Sequence, residues 1–269
     1  MTFQQIIFIF SVCLMGFVFS TFAQDGSAKP DTKQKAEAIV AKAVQILGGD
    51  RYLQVRSQIG RGKFSVIKEN AVVSFQTFVD AIVFPDKERT EFKGGGTRTT
   101  QVNTGNTGWV FDGDQELIKI QNATQVENFK RGQRTSLDNL LRGSWKGSAD
   151  VTYVGRRAAT LGKRNDVVRL TYTDGLVVEF EFATDDGLPV KAIYKTQTGE
   201  GETPITEEDH YAQFIDVSGI KTPFIIDRFT NGAQSSRINY ESIEFNKTIP
   251  DSVFTKPSNA KDAKKDLKF

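Results

Sequence analysis

The stretch from Leu176 to Phe245 constrains the fold most, because it reads as four or five antiparallel strands in succession, each ended by turn residues. Val178, Phe180 and Phe182 alternate with polar residues, which is the period of a strand with one buried face. Asn231-Gly232 predicts a hairpin, since a type I′ turn needs positive φ at both central residues. The chain upstream continues with further strands and two helices, so the sequence predicts a mostly β protein.

Length, charge and composition narrow the class of protein. The chain has 269 residues, a formal net charge of +2 and 21 phenylalanines. Regular strands without a linker favour one large domain over two small ones. A charge this mild, without a basic stripe, argues against nucleic acid as a partner. The excess of aromatic residues either fills a core or lines an apolar cavity.

The N-terminal segment has the pattern of a secretory signal peptide. Residues 1–23 carry no charged side chain, and the apolar run from Ile6 to Phe19 is followed by small residues ending at Ala23. The sequence predicts a signal peptide over 1–23, cleaved after Ala23. An uncleaved membrane anchor is the alternative. Cys13 lies inside this run, so the mature chain would have no disulfide and no thiolate metal site.

The remaining chain divides into a polar spacer (24–30), a single domain (31–255) and a tail (256–269). Asp31 can cap a helix that runs to Leu47 and ends at Gly48-Gly49. A second amphipathic helix is predicted from Asn122 or Thr124 to Trp145, and it serves either as a crossover or as a lid. The tail is polar and has no periodicity, which predicts disorder.

The second predicted strand has apolar residues on both faces. Phe75 and Val79 share one face, and Asp80 lies on the other. Phe78 and Ile82 interrupt that second, polar face. A strand of this kind is either sandwiched between two layers or faces a cavity on one side.

No residue pattern predicts catalysis, a metal site or a cofactor. His210 is the single histidine, and its acidic neighbours in a strand point to alternating faces. Ser144 stands one place too early for the nucleophile elbow of a serine hydrolase. A pair of carboxylates from distant strands could serve a glycosidase, but no pair is singled out. The sequence therefore predicts a protein that is not an enzyme.

Turn and strand-end motifs recur along the chain in a recognisable order. They are the helix ending in Gly48-Gly49, Phe84-Pro85-Asp86-Lys87-Glu88-Arg89, Gly108-Trp109-Val110-Phe111-Asp112-Gly113, Asp186-Gly187-Leu188-Pro189, the segment 211–220 leading into Pro223, Ile243-Glu244-Phe245-Asn246 and Pro250-Asp251-Ser252-Val253-Phe254. This order resembles the LolA/LolB-like superfamily of periplasmic carriers that sort lipoproteins to the outer membrane. The resemblance covers nearly all of the chain after the signal peptide.

The resemblance implies a fold and a mode of action. The fold is α+β, a half-open antiparallel β-barrel of about eleven strands with two covering helices. It implies a soluble periplasmic carrier that shelters acyl chains of a lipid or lipoprotein, with no covalent chemistry and no cofactor. A partner protein in the outer or inner membrane is also implied. In such carriers a basic residue commonly precedes the proline matching Pro85 and helps to hold the lid shut, whereas this chain has Phe84 there.

Nine apolar residues are the predicted lining of the cavity or its lid. They are Phe75, Val79, Trp109, Phe111, Leu137, Leu141, Trp145, Phe180 and Phe182. In the alternative the helices plug the barrel, and these residues are ordinary core. A rival function on the same fold is a non-enzymatic envelope sensor or protein-interaction module.

Overall fold

The computed structural model of the chain describes residues 31–196 and 203–265, so the predicted signal peptide (1–23) and spacer (24–30) lie outside it. The strands are β1 (Ser57–Lys68), β2 (Ala71–Val83), β3 (Lys87–Gly94), β4 (Thr97–Thr104), β5 (Thr107–Asp112), β6 (Leu117–Ile120), β7 (Ala149–Ala158), β8 (Arg164–Tyr172), β9 (Val177–Ala183), β10 (Pro189–Thr196), β11 (Ile205–Val217), β12 (Ile220–Thr230) and β13 (Ala233–Phe245). The helices are α1 (Thr32–Leu47), α2 (Asp50–Leu53), α3 (Ala123–Thr135), α4 (Leu137–Arg142) and α5 (Ala260–Ala263).

The thirteen strands form one antiparallel sheet in the order β6-β5-β4-β3-β2-β1-β13-β12-β11-β10-β9-β8-β7. Adjacent strands of the sheet are neighbours in sequence, except at the centre, where β1 pairs with β13. The sheet is open, with β6 and β7 at its two edges. The segment α3–α4 joins β6 to β7 and so leads from one edge to the other. The predicted half-open sheet is confirmed, with thirteen strands where the resemblance implied about eleven.

The sheet is curved around its helices. Helix α1 contacts β7, β8 and also β12. β8 and β12 are four strand spacings apart, about 19 Å in a flat sheet, whereas a helix with its side chains is only about 10–12 Å wide. One helix can touch both strands only if the sheet bends toward it. The face that packs on the helices is therefore the concave face.

Local sequence signals set the first helix and the last hairpin as predicted. The Asp31 side chain accepts a hydrogen bond from the Lys33 backbone N–H at 3.2 Å and caps α1. The buried residues of α1 are Ala36, Ala43, Val44 and Leu47. Asn231 and Gly232 have φ of 51° and 78° between β12 and β13. Both predictions are confirmed.

Gly48 ends α1 at a position that no other residue fits. Its φ is 131°, and a Cβ there would lie 2.6 Å from the Gly219 carbonyl oxygen. We expect Gly48→Ala to lower the free energy of unfolding by about 2 kcal/mol, because both the backbone conformation and the contact become strained. Chemical denaturation measures this change. The control is Gly132→Ala in α3, where a Cβ meets nothing within 4 Å, and there we expect a gain of about 0.5–1 kcal/mol.

The second predicted helix is two helices. Ser136 has an extended backbone, with φ −70° and ψ 151°, and separates α3 from α4. Its hydroxyl oxygen accepts a hydrogen bond from the Asn139 backbone N–H at 3.1 Å and so caps α4. Asn122 and Gln125 form a capping box at the start of α3. The prediction of one continuous helix to Trp145 is wrong, because an internal serine here begins a new helix.

The segment after β13 folds back over the outer face of β2–β5. Val253, Phe254 and Ala263 are buried there with Trp109 and Phe111. Within residues 256–269, where the sequence predicts disorder, α5 is helical and residues 266–269 lie outside the described chain. The few apolar residues of this stretch meet an apolar surface that the sequence alone does not reveal.

Candidate functional site

Cross-strand pairing fixes which side chains share a face, because paired residues point the same way and successive residues alternate. Phe180 pairs with Ala192 and packs with the helices on the concave face. From Trp109, successive pairs lead across β4, β3, β2 and β1 to Glu244 on β13. The next residue, Phe245, packs with the helix cluster. Trp109 and Glu244 therefore lie on the opposite, outer face.

Five of the nine predicted residues meet in one apolar cluster between the concave face and helices α1 and α4. The five are Leu137, Leu141, Trp145, Phe180 and Phe182. Phe180 and Phe182 are at most 1% exposed, and Trp145 is 7% exposed. The Trp145 indole N–H donates to the Leu140 carbonyl oxygen at 3.1 Å. These residues are part of the apolar core that fills the space between the concave face and the two helices.

The other four predicted residues lie on the outer face. Trp109 and Phe111 pack under the C-terminal segment, and the Trp109 indole N–H donates to the Phe254 carbonyl oxygen at 3.0 Å. Val79 pairs with Arg61 and Glu91 on the outer face. Phe75 is 53% exposed, and the centroid of its ring lies 5.9 Å from Lys63 Nζ. The structure therefore does not bring these four together with Phe180.

A row of aromatic side chains occupies the concave face of the central strands. We call it the concave aromatic row, and it comprises Phe64, Phe92, Phe78, Tyr240 and Phe224. Neighbouring rings in the row have centroids 5.3–6.4 Å apart. None of the five belongs to either apolar core cluster. Phe64, Phe92 and Tyr240 are only partly buried, so this part of the concave face is less completely covered.

The sequence pattern of β2 does not reveal this row, because it places Phe75 and Val79 on the predicted apolar face. Phe78 and Ile82, the apolar residues on the other face of β2, mark the face that is concave. Phe78 is 5% exposed and pairs with Phe92 on the neighbouring strand β3. Asp80 follows Phe78 on the same, concave face, although its charge is typical of a solvent-facing position.

Asp80 is a buried carboxyl group in the middle of the concave face. Its residue is 6% exposed, and its Oδ2 accepts a hydrogen bond from the Tyr240 hydroxyl at 3.0 Å. Its Oδ1 has no hydrogen-bond partner among the described residues. Burial, followed by the neighbouring charge of Glu88, raises the pKa of Asp80 to about 7. Burial also raises the pKa of Tyr240.

Gly60 makes room for this arrangement. A Cβ at Gly60 would lie 2.1 Å from Asp80 Oδ1 and 2.5 Å from a ring carbon of Tyr240. Both side chains therefore pack over a bare backbone on β1.

Two more carboxyl groups and one guanidinium share the concave face. Asp209 Oδ1 lies 3.4 Å from Arg228 Nε. The Glu88 carboxylate accepts a hydrogen bond from the Thr90 hydroxyl at 3.1 Å. Burial raises the pKa of Glu88 and of Asp209, and the charge of Arg228 opposes both shifts. Arg228 on β12 thus acts electrostatically on Glu88 of β3, which agrees with a sheet that curves around this site.

Arg142 and Asp138 hold helix α4 to α2 and to the segments that flank β1 and β2. The Arg142 guanidinium lies 4.1 Å from the ring centroid of Phe84 and donates to the Val55 carbonyl oxygen at 3.0 Å. The Tyr52 hydroxyl donates to Asp138 at 2.7 Å. The position before Pro85 is thus aromatic, and α4 supplies the cation that stacks on it.

The end of α3 is anchored separately. Arg134 makes a two-pronged ion pair with Asp174, with distances of 2.6 and 2.8 Å, in the turn after β8. Its guanidinium also lies 4.1 Å from the ring centroid of Tyr172. This ion pair lowers the pKa of Asp174 to about 2.

Two surface cavities lie near α2, away from the predicted residues. The larger has a volume of about 450 Å³ and is lined in part by Arg51, Ile243 and Lys247. The smaller, of about 410 Å³, is lined by Gly48, Gly219 and their neighbours. None of the nine predicted residues lines either cavity.

Metal-binding clusters and membrane-spanning helices are both absent from residues 31–196 and 203–265. No group of three or more His, Cys, Asp or Glu side chains there is arranged to hold a metal ion. No helix in the same ranges is long and apolar enough to span a membrane.

Solved structures share this architecture, although no protein-family model and no curated protein matches the sequence. A LolA superfamily protein from Nitrosomonas europaea is 16% identical, with a TM-score of 0.55, over 82% of this chain and 97% of that one. A DUF1329 family protein from Desulfovibrio piger is 13% identical, with a TM-score of 0.58, over 84% and 98%. A domain of an outer membrane lipoprotein-sorting protein from Vibrio parahaemolyticus is 11% identical, with a TM-score of 0.52, over 81% and 97%.

These likenesses span nearly the whole of each solved structure, and they agree with the open sheet and its helices. At identities of 11–16% they show the fold alone, because unrelated functions share folds. The chain has a LolA-like fold.

Proposed function

We propose that this chain is a periplasmic carrier that binds the acyl chains of a lipid or lipoprotein on its concave face and delivers them to the outer membrane. The concave aromatic row carries the proposal, because it offers aromatic surface that neither core cluster uses. Such a carrier needs no covalent chemistry. The two resemblances to lipoprotein-sorting and LolA superfamily structures agree with this function.

The segment α3–α4 is the proposed lid. It runs between the two edges of the open sheet, and its anchors include the Arg142, Arg134 and Asp138 contacts and the apolar packing of α4. Movement of this segment would expose the apolar cluster around Phe180 and extend the aromatic row. An acyl chain would then replace the contacts that α4 makes in the closed form.

Native mass spectrometry with lipid extraction tests the carrier proposal. The full chain is expressed through the secretory route, and the mature protein is analysed directly and after incubation with phospholipid or lipopeptide. We expect bound acyl lipid. Phe92→Asp should reduce binding at least ~10-fold, because a charge would enter the apolar site, whereas Phe75→Asp on the outer face should not. A mass without lipid under all conditions contradicts the proposal.

A protein-interaction module is the second candidate, and the hairpin between β1 and β2 favours it. Val72, Val73 and Phe75 near its tip are 61%, 55% and 53% exposed. Exposed apolar side chains grouped in this way are typical of interaction surfaces. This function predicts the reverse pattern, in which Phe75→Asp abolishes partner binding and Phe92→Asp leaves it intact.

Removing the Arg142 side chain should ease opening of the lid. Arg142→Ala loses the stacking on Phe84 and the hydrogen bond to the Val55 carbonyl oxygen, together worth about 1–2 kcal/mol. We therefore expect an acyl probe with a polarity-sensitive fluorophore to bind several-fold faster in stopped-flow measurements. The matched control is Arg131→Ala on α3, whose side chain is hydrogen-bonded to Asn128 on the same helix. Equal rates in all three proteins would exclude Arg142 as a latch.

A further inference from the structure

We propose that the concave face contains a subsite, formed by Asp80 and Glu88 beside Tyr240, that binds the protonated amine of an amphiphilic ligand. The proposal rests on the proposed function, since the apolar part of the same ligand would lie on the concave aromatic row. It adds a chemical class to the cargo, namely amphiphiles with an amine at their polar end.

Asp80 Oδ1 is the first observation behind this subsite. Asp80 is more than nine-tenths buried, and this oxygen has no hydrogen-bond partner among the described residues. A buried acceptor left unpaired is destabilising, because it has lost its hydrogen bonds to water. The oxygen packs on the Gly60 backbone, where a Cβ would lie 2.1 Å from it, so no side chain of β1 stands between this carboxyl group and the concave face. A ligand with an N–H donor would satisfy it.

The charges around the site give the second observation. Five charged side chains lie on this part of the concave face, namely Asp80, Glu88, Glu207, Asp209 and Arg228. Arg228 pairs directly with Asp209 at 3.4 Å. Asp80 and Glu88 have no salt bridge to a cationic side chain among the described residues, although the charge of Arg228 reaches Glu88. Further titratable groups nearby are the Tyr194, Tyr211 and Tyr240 hydroxyls, with Asp138 and the Tyr52 hydroxyl beside Tyr211.

An amine fits this environment better than an anion does. A protonated amine has up to three N–H donors and a positive charge, which Asp80 and Glu88 would stabilise in apolar surroundings. A ring face of the T-shaped Phe78–Tyr240 pair, whose centroids are 5.3 Å apart, would add cation–π attraction. A fatty carboxylate or a phosphate in the same place would be repelled by the same two side chains.

Proton uptake at Asp80 makes the binding depend on pH. Its pKa is raised to about 7, so much of it is neutral below that pH. An alkylamine stays protonated well above this range, since its pKa resembles that of lysine, about 10.4. We expect the affinity for the amine to rise several-fold from about pH 6 to about pH 8, and the affinity for an uncharged alcohol to stay constant.

The test compares dodecylamine with dodecanol, which have the same chain and differ in the polar end. Isothermal titration calorimetry on the mature protein, below the concentration at which either compound aggregates, should show at least ~10-fold tighter binding of the amine. Asp80→Asn and Glu88→Gln should remove this preference, so that the ratio of the two affinities falls to about 1. Asp227→Asn, which breaks an ion pair with Arg237 on the outer face, should leave both unchanged. Thermal unfolding confirms that each variant is folded.

The outcomes separate the subsite from the carrier function. Equal binding of amine and alcohol by the unmodified protein overturns the subsite and leaves the carrier function intact. Binding of neither compound, together with no binding of phospholipid or lipopeptide, overturns both. A second set of titrations distinguishes two natural sources of the amine. Phosphatidylethanolamine is compared with phosphatidylglycerol, which has no amine. A diacylated lipopeptide with a free amino terminus is compared with its N-acylated form.

Discussion

Replacing Phe180 by alanine should lower the free energy of unfolding by about 4 kcal/mol, the loss typical of a large aromatic removed from a rigid core. Phe180 is fully buried and packs in the cluster that joins β8, β9 and β10 to helices α1 and α4. Its removal would leave a cavity between the sheet and the lid. Denaturant titration followed by circular dichroism measures the change.

Phe75→Ala is the matched control for this prediction. The same side chain is removed, but Phe75 is 53% exposed on the outer face. We expect a change within about 0.5 kcal/mol. A loss at Phe75 as large as at Phe180 would contradict the assignment of the two faces of β2.

Asp80→Asn should make the protein more stable than the unmodified chain at about pH 8. Burial raises the pKa of Asp80 from 3.8 to about 7 in the folded state. The folded protein therefore holds this proton more tightly than the unfolded chain does. The stabilisation that this bound proton gives is fully present below about pH 4, which is the pKa of the carboxyl group in the unfolded chain. It is lost as the pH rises through about 7, the pKa of Asp80 in the folded protein.

The shift sets the scale of the effect, since each pKa unit corresponds to about 1.4 kcal/mol. We expect the free energy of unfolding of the unmodified protein to fall by about 2–4 kcal/mol between about pH 4 and about pH 8 through this group. An asparagine side chain in place of Asp80 cannot ionise, so the variant should lack this decline. Urea titrations at a series of pH values give the comparison.

Asp174→Asn is the control with the opposite sign. The Arg134 ion pair lowers the pKa of Asp174 to about 2, so its stabilisation is present above about pH 4 and is lost as the pH falls through about 2. The curve between about pH 4 and about pH 8 should keep its slope in this variant. An unchanged slope in Asp80→Asn would show that Asp80 is already ionised in the folded protein.

Local sequence determined the strands, the first helix and the turns of this protein. Asp31, Gly48 and Asn231-Gly232 act within a few residues of themselves, through caps and through backbone conformations that few residues adopt. Alternation along β9 likewise gave a buried face that the structure confirms at Phe180 and Phe182. Such signals need no knowledge of what lies across the sheet.

Only the tertiary structure decided which face of β2 is concave. Alternation gives a strand two faces but does not say which one the helices cover, and here the outer face of β2–β5 is also buried, under the C-terminal segment. The pairing of Asp80 with Tyr240 joins residues 160 positions apart, over a glycine on a third strand. Its unusual proton affinity arises from burial that the curved sheet creates, and no local pattern in the sequence records it.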